Sequence, residues 1–316
     1  MKIILIIMRY LLVGHGFIST HVAEYLFQRH EVKITYRNMN PVKEAYAKVL
    51  SGRAELIRVS PEEEEFKKLV DWSDVVVSFV GEIAGDENKL RKANVEVPSA
   101  IAKMVKGKPM VHLTGMLGYT GVNVKPELPH LKDLHPDTPF ERSKAEAERV
   151  LMKISREQGF PLILIRPTLV YGKYGAHVQF VTIYKMSKRG IIPSLPFSFN
   201  AVSATDLAKV IEYFVERKET TYFYATECDP VNVTRFFELM REGLGKRGGL
   251  RVPVPEGLAK AVLPSYVRSL LKYTKSTFDC SACKEVINEL SFREDEIRKN
   301  AVFLMELEKQ GKLIPT

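Results

Sequence analysis

The sequence predicts an α/β fold, a doubly wound parallel sheet of the Rossmann type with a smaller, mostly helical C-terminal lobe. Three observations carry this. From Tyr10 to Phe160, short apolar runs alternate with longer amphipathic stretches, the rhythm of βαβ units around a parallel sheet. Gly14 and Gly16 fall where the first apolar run turns into the first amphipathic stretch. Beyond Pro167 the rhythm stops, and Gly172, Gly175, Pro193 and Pro196 punctuate a loop-rich stretch.

Taken in order, the apolar runs predict strands at 9–13, 32–36, 54–59, 74–80, 109–113 and 161–166. Connecting helices are expected at about 17–29, 41–50, 61–70, 86–106 and 138–158, each long enough for a crossover. Ser60-Pro61 ahead of Glu62 to Glu65 reads as a helix start, with proline at the first helical position and carboxylates in the positive first turn. The acidic run is therefore a helix terminus rather than a metal site. A helix at 204–216 and a strand at 222–225 return to the sheet, while 231–245, 254–272 and 280–311 read as helical. The expected division is a dinucleotide-binding domain over 1–167 plus 199–225 and a substrate lobe over 168–198 plus 226–316, with the ligand cleft between them.

Composition narrows the classes. A chain of 316 residues, 45% hydrophobic and 27% charged, buries a core and is not disordered, collagen-like or a coiled coil. The balance of 47 Lys+Arg against 38 Asp+Glu gives +9, but cations interleave with acids, as in Glu141, Arg142, Lys144, Glu146, Glu148 and Arg149. That is a solvated helix face, and with no stacked-aromatic or basic-arm motif no nucleic-acid partner is expected. Three cysteines make no disulfide framework. The apolar run Ile3 to Ile7 resumes at Leu11 to Val13 but is broken by Arg9 and falls short of the roughly 20 residues that span a bilayer. No secretory signal is in order, so a cytoplasmic protein without a membrane partner is expected. Met8 is a second candidate start. Glutamine occurs only at 28, 158, 179 and 310 beside abundant Lys and Glu, which points to a heat-adapted source.

Leu11-Leu12-Val13-Gly14-His15-Gly16-Phe17-Ile18-Ser19 matches the phosphate-binding pattern G-x-G-x-x-G with serine in the last place. The first glycine allows the tight turn, the second lets backbone approach a pyrophosphate, and the third place packs helix on strand. His15 is open to two readings, a phosphate contact or a solvent-exposed turn residue. At the end of the second strand a carboxylate would hold the ribose hydroxyls of NAD, but the sequence has Arg37-Asn38. A guanidinium pairs two-pronged with a 2′-phosphate, so NADP is preferred over NAD.

These segments, in this order, resemble the extended short-chain dehydrogenase/reductase family, in particular its epimerase/dehydratase-like and atypical branches. Further landmarks are Val80-Gly81, Asn94-Val95, Leu113-Thr114-Gly115, Ser143-Lys144-Ala145-Glu146 and Ile165-Arg166-Pro167-Thr168-Leu169-Val170-Tyr171-Gly172. Val202 to Ala208 and Phe278 to Phe292 extend the likeness toward the C-terminus. The resemblance implies a nicotinamide dinucleotide across the strand ends, with Gly14, His15, Gly16, Phe17, Ile18, Val80, Gly81, Pro167 and Leu169 among its contacts. It also implies a substrate under the C-terminal lobe, a homodimer through the helices at about 86–106 and 138–158, and a Tyr-x-x-x-Lys pair that moves the proton. Four residues apart on a helix, the two side chains share a face, and the ammonium lowers the phenol pKa.

Here that pair reads Phe140 to Lys144, and a benzyl ring moves no proton. Lys144 can still hold the nicotinamide ribose, and Thr114 can polarise a substrate oxygen, although the family's hydroxyl is often one residue later, at Gly115. Arg58-Val59-Ser60 stands where an adenine-side Asp is common. Tyr119 and Tyr171 are alternative acids in loops after strand ends. Cys280 and Cys283 read as small buried helix residues rather than a redox or zinc pair. His112 reads as an interior residue, and His130 and His135 as loop surface. The expected activity is oxidoreduction or epimerisation of a nucleotide-sugar-like or other carbonyl or hydroxyl substrate. The alternative is a non-catalytic dinucleotide-binding sensor or assembly subunit. No hydrolase, zincin or P-loop signature occurs and no metal is expected.

Overall fold

The computed structural model describes residues 7–126, 136–258 and 265–315; His130, His135 and the run Ile3 to Leu5 lie outside them. The strands are β1 (Arg9–Val13), β2 (Glu31–Tyr36), β3 (Glu55–Arg58), β4 (Val75–Ser78), β5 (Met110–Leu113), β6 (Leu162–Pro167), β7 (Leu169–Tyr171), β8 (Ile191–Ser194), β9 (Ser198–Phe199), β10 (Ala201–Ser203) and β11 (Thr221–Ala225). Seven of them form one sheet in the order β11-β6-β5-β4-β1-β2-β3, every pair parallel. The central strands Tyr10-Leu11-Leu12 and Val75-Val76-Val77 are completely or almost completely buried, as strands covered on both faces must be. From β1 the chain moves outward to β2 and β3, then crosses back to β4 on the other side. The strand order reverses between β1 and β4, and the crevice outside their C-terminal ends is where a doubly wound sheet binds ligands.

The helices are α1 (Phe17–Leu26), α2 (Pro41–Val49), α3 (Glu64–Trp72), α4 (Glu87–Arg91), α5 (Val97–Met104), α6 (Pro139–Gln158), α7 (Val178–Lys188), α8 (Ala204–Arg217) and α9 (Val233–Gly243). Val22 and Leu26 of α1 and Leu207 and Ile211 of α8 pack in one core with β1 and β6. Phe66 of α3, Ile101 of α5 and Leu151 of α6 pack in another with Leu11 and Leu164. Burying chains of this size contributes roughly 1.5–3 kcal/mol each. A third core joins α7, α9 and the C-terminal helix Glu294–Lys309 around Tyr171, Phe236 and Leu304.

Five expectations are corrected. The helix after Pro61 begins at Glu64, because Ser60 N–H donates to the Glu63 carboxylate (2.7 Å) and the prolyl turn precedes the helix. The stretch 86–106 is not one helix: a π-helical turn, Lys92–Glu96, separates α4 from α5 and carries Asn94 inward to full burial. Beyond the main sheet, β10 pairs with β7, and the sequence reading missed two further pairs, β9 with Val231–Asn232 and β8 with Leu250–Pro253. Residues 254–272 contribute the helix Ser265–Leu270, and 280–311 splits into Ser281–Lys284 and Glu294–Lys309. Finally, Cys280 and Cys283 are not alike: Cys280 is disulfide-bonded to Cys228, 52 residues earlier. Only Cys283 is a buried free thiol, its pKa pushed up to about 12 by burial.

Candidate active site

At the end of β1 the chain bends at Gly14, whose φ of +105° is a conformation side chains rarely adopt. Gly14 N–H donates to Thr35 O of β2 (3.2 Å), which fixes the bend beside the neighbouring strand. Gly16 opens α1 in extended backbone; its N–H donates to Ser19 Oγ (2.8 Å), and Thr20 Oγ1 donates to Gly16 O (2.7 Å). A methyl group on Gly16 would meet nothing within 4 Å. That open space lies against the first turn of α1, where Phe17 and Ile18 sit at positions whose N–H groups have no partner within a helix. The solvent-exposed reading of His15 is corrected. The residue is 4% exposed, its Nε2 meets Lys43 O at 3.0 Å, and it packs edge-on to Tyr46.

Arg37 and Asn38 follow β2 at the exposed rim. Lys43 of α2 is close enough for the Arg37 charge, after burial, to lower its pKa. No carboxylate stands at 37 or 38. Across the crevice, Val80 is half-buried and Gly81 exposed. A methyl group on Gly81 would come within 2.5 Å of Lys144 Nζ and 2.9 Å of Asn94 Oδ1, so the absent side chain is what lets that backbone lie on the lysine. Lys144 is 5% exposed, its Nζ is 3.4 Å from Leu113 O, and burial brings its pKa down to about 8. Asn94 pins the loop on both sides, accepting from Glu82 N–H and donating to Glu82 O and to Ser143 Oγ (2.9 Å) of α6. Pro167 and Leu169 are half-buried at the end of β6, on the same side of the sheet edge.

The proton-transfer residues sit differently. Phe140 stands in the first turn of α6, its ring about van der Waals distance (3.9 Å) from where a Gly115 side chain would be. The Thr114 expectation is corrected: its hydroxyl donates to Glu148 Oε1 at 2.6 Å, and a hydroxyl has one proton to give. Glu148, one helical turn beyond Lys144, is fully buried and paired two-pronged with the equally buried Arg166, at 3.1 and 2.8 Å. Tyr119, Tyr222 and Tyr224 ring the guanidinium at 5.4–6.0 Å. Tyr171 is structural: it is fully buried, donates to Glu227 (2.6 Å) and accepts from Arg293 N–H (2.7 Å). Burial drives its pKa up, the wrong direction for an acid. His112 is interior, its Nδ1 3.1 Å from Ser78 Oγ.

The sequence reading missed the cover of this end. Tyr273 reaches in from the C-terminal segment, donating to Glu141 and accepting from Gly118 N–H (2.8 Å), while Lys272 pairs with Glu141 and Asp137. Glu141 also accepts from Asp137 and Thr138 N–H. Thr277 and Asp279 then bond along Gly121 to Val124. One signal was available: Arg166 inside an apolar strand demands a buried carboxylate.

The family model described as NAD dependent epimerase/dehydratase family matches residues 10–221, from β1 into β11. The chain belongs to this family. Its fold is that of the family's solved epimerases. UDP-glucuronic acid 4-epimerase from Bacillus cereus, in complex with NAD, superposes with a TM-score of 0.73 over 95% of this chain and 99% of that one, at 15% identity. UDP-glucose 4-epimerase from Thermotoga maritima, with UDP-glucose, gives a TM-score of 0.70 over 95% and 100%, at 18% identity. In sequence, UDP-glucose 4-epimerase from Vibrio cholerae is 34% identical over 62 residues, 20% of this chain and 18% of that protein. Among the described residues no helix is long and apolar enough to cross a membrane and no His/Cys/Asp/Glu group could hold a metal.

Proposed function

We propose that this chain binds a nicotinamide dinucleotide in the crevice between β1 and β4. The pyrophosphate lies on the Gly14–Gly16 bend and the N–H groups of Phe17 and Ile18, and the nicotinamide ribose on Lys144, beside Val80 and Gly81. His15 contributes backbone only, and Pro167 and Leu169 flank the nicotinamide. The observation that carries this reading is the unfilled space at Gly16 against the start of α1. NADP is preferred over NAD: Arg37 stands at the end of β2 with no carboxylate at 37 or 38, and its guanidinium can pair with a 2′-phosphate. Calorimetry with each nucleotide tests this, with tighter binding of NADP expected; equal or tighter NAD binding refutes the preference.

The reaction proposed is oxidoreduction or epimerisation of a nucleotide sugar or another carbonyl or hydroxyl compound. The bound cofactor supplies hydride chemistry. Lys144 orients it, and the proton is exchanged with a different residue, a water or the substrate itself, since Phe140 carries no proton and the Thr114 hydroxyl is engaged by Glu148. The division into a cofactor domain (1–167 plus 199–225) and a substrate lobe (168–198 plus 226–316) belongs to this proposal, as does a homodimer through the segments 86–106 and 138–158, which sedimentation velocity tests.

A second reading, a non-catalytic dinucleotide-binding sensor or assembly subunit, is favoured by the ring at Phe140 and the engagement of Thr114 by Glu148. Turnover separates the two. Saturable, substrate-dependent change in nicotinamide absorbance supports the enzyme, and tight binding without reaction across nucleotide-sugar and carbonyl panels supports the module.

A further inference from the structure

The chain has three cysteines in 316 residues, and the fold brings all of them to the C-terminal end of β11. Cys228 follows that strand and is bonded to Cys280. Cys283, one turn further on, is buried with its Sγ 3.9 Å from Tyr224 O of β11. Cys228 and Cys280 are each half-buried, which leaves part of both residues in contact with solvent. Three cysteines allow one disulfide, and its place in the chain is telling.

Cys280 anchors the cover over the proton end of the candidate site. The segment 273–279 runs directly into it and is laid on the loop that follows β5. Gly118 N–H donates to the Tyr273 hydroxyl (2.8 Å), Gly121 N–H to Ser276 Oγ (3.0 Å) and Asn123 N–H to Thr277 Oγ1 (2.7 Å). Thr277 N–H donates to Gly121 O (2.9 Å), Asp279 N–H to Val124 O (2.8 Å) and Val124 N–H to Thr277 O (2.8 Å). Beneath these bonds Tyr273 and Phe278 join Leu117, Tyr119, Ala145 and Tyr224 in a cluster of their own, separate from the three larger cores. Residues 120–123 are exposed. Hydrogen bonds at an exposed loop over a small cluster belong to the low-stability end of a fold, where segments open locally. The disulfide is the covalent link that limits such opening.

We infer that Cys228 and Cys280 form a redox modification site for dithiol reductants, and that reduction there releases the cover from the end of β11. The step is a thiol–disulfide exchange. The dithiol gives two electrons and two protons, the Cys228–Cys280 bond becomes two thiols, and the dithiol closes into its own disulfide. Cys283 stays out of the exchange, because the attacking species is a thiolate and this buried thiol keeps its proton, its pKa pushed up to about 12. The bond therefore has two states and does not shuffle. The inference rests on the dinucleotide reading only in calling the covered end the reacting one; release of the cover needs no ligand.

The full chain without cofactor tests it, so failure of the dinucleotide reading is seen separately, by calorimetry. Thiol titration after denaturation should count one thiol in the air-oxidised chain and three once the folded chain has been treated with dithiothreitol. Amide hydrogen exchange should then quicken over 116–124 and 271–279 by roughly thirtyfold, the lower end of what a cross-link closing a long loop contributes, with Leu11 to Val13 of β1 unchanged. Cys228→Ser should exchange like the reduced chain with or without dithiothreitol, and Cys283→Ala should respond like the unsubstituted chain, each with unchanged circular dichroism. Three thiols before treatment, a bond that dithiothreitol leaves intact in the folded chain, unchanged exchange over the cover, or an equal rise throughout the chain overturns the inference. Loss of the response in Cys283→Ala overturns it too, in favour of exchange between Cys280 and Cys283.

Discussion

The two ends of the candidate active site differ in how their groups are engaged. At the cofactor end, Gly14 holds a backbone conformation that side chains rarely adopt, Gly16 leaves space open, and the missing side chain at Gly81 lets Lys144 approach the backbone. At the proton end, each polar group is bound to protein. Thr114 gives its proton to Glu148, Glu141 is occupied by Tyr273 and Lys272, and position 140 carries a hydrocarbon ring. The contrast teaches that holding a dinucleotide and moving a proton are separable demands on one scaffold: the first rests on backbone shape and the second on particular side-chain atoms.

The largest effect expected is at the proton end. Glu148→Ala strands a buried guanidinium and should cost about 3–5 kcal/mol of unfolding free energy by denaturant titration. Glu148→Leu with Arg166→Met should recover most of it, and a small loss in the single variant would mean that the pair is not buried as described. Gly16→Val breaks the comparison from the other side. With room for the side chain, melting should hold while dinucleotide affinity falls about a hundredfold or more, through the loss of charge-assisted hydrogen bonds; retained affinity would move the pyrophosphate elsewhere.

Phe140→Tyr asks whether the proton end is repairable. A phenol four residues before Lys144 should raise turnover by about a hundredfold, the lower range for general acid catalysis. No gain would mean that the Thr114–Glu148 bond or the covering segment also blocks reaction.

Glu296 anchors the C-terminal helix beneath α1. Despite burial its pKa lies at about 2, held down by His21, Lys173 N–H and the Lys173 charge. Because the folded value lies below the unfolded one, this stability is present above about pH 4.5 and is lost as pH falls toward 2, on the order of 2 kcal/mol. Glu296→Gln should flatten that acid limb. The smallest effect concerns Lys144. With its pKa lowered to about 8, it loses its charge as pH rises through that value, so affinity for the dinucleotide should decline severalfold between about pH 7 and 9. An unchanged affinity would remove the lysine from the ribose.

The parallel strands were readable because strands buried on both faces are apolar without a break, as in Val75-Val76-Val77. The glycine bend was readable because its spacing is a backbone requirement. What escaped was non-local. Thr114 looked free until the fold placed Glu148, 34 residues later, within hydrogen-bond reach. Tyr273 carries no local sign that it will meet Glu141, 132 residues away. Strands of two to four residues are too short for any period, so the ribbons of the lobe were invisible, and Cys228 gives no hint of its partner.

That disulfide closes residues 228 to 280 into a covalent ring containing α9, the strand Leu250–Pro253 and the segment bearing Tyr273. If the helices of the lobe melt, the ring keeps their two ends moored beside β11. An unfolded lobe would then search for its seat as a tethered loop rather than as a free tail.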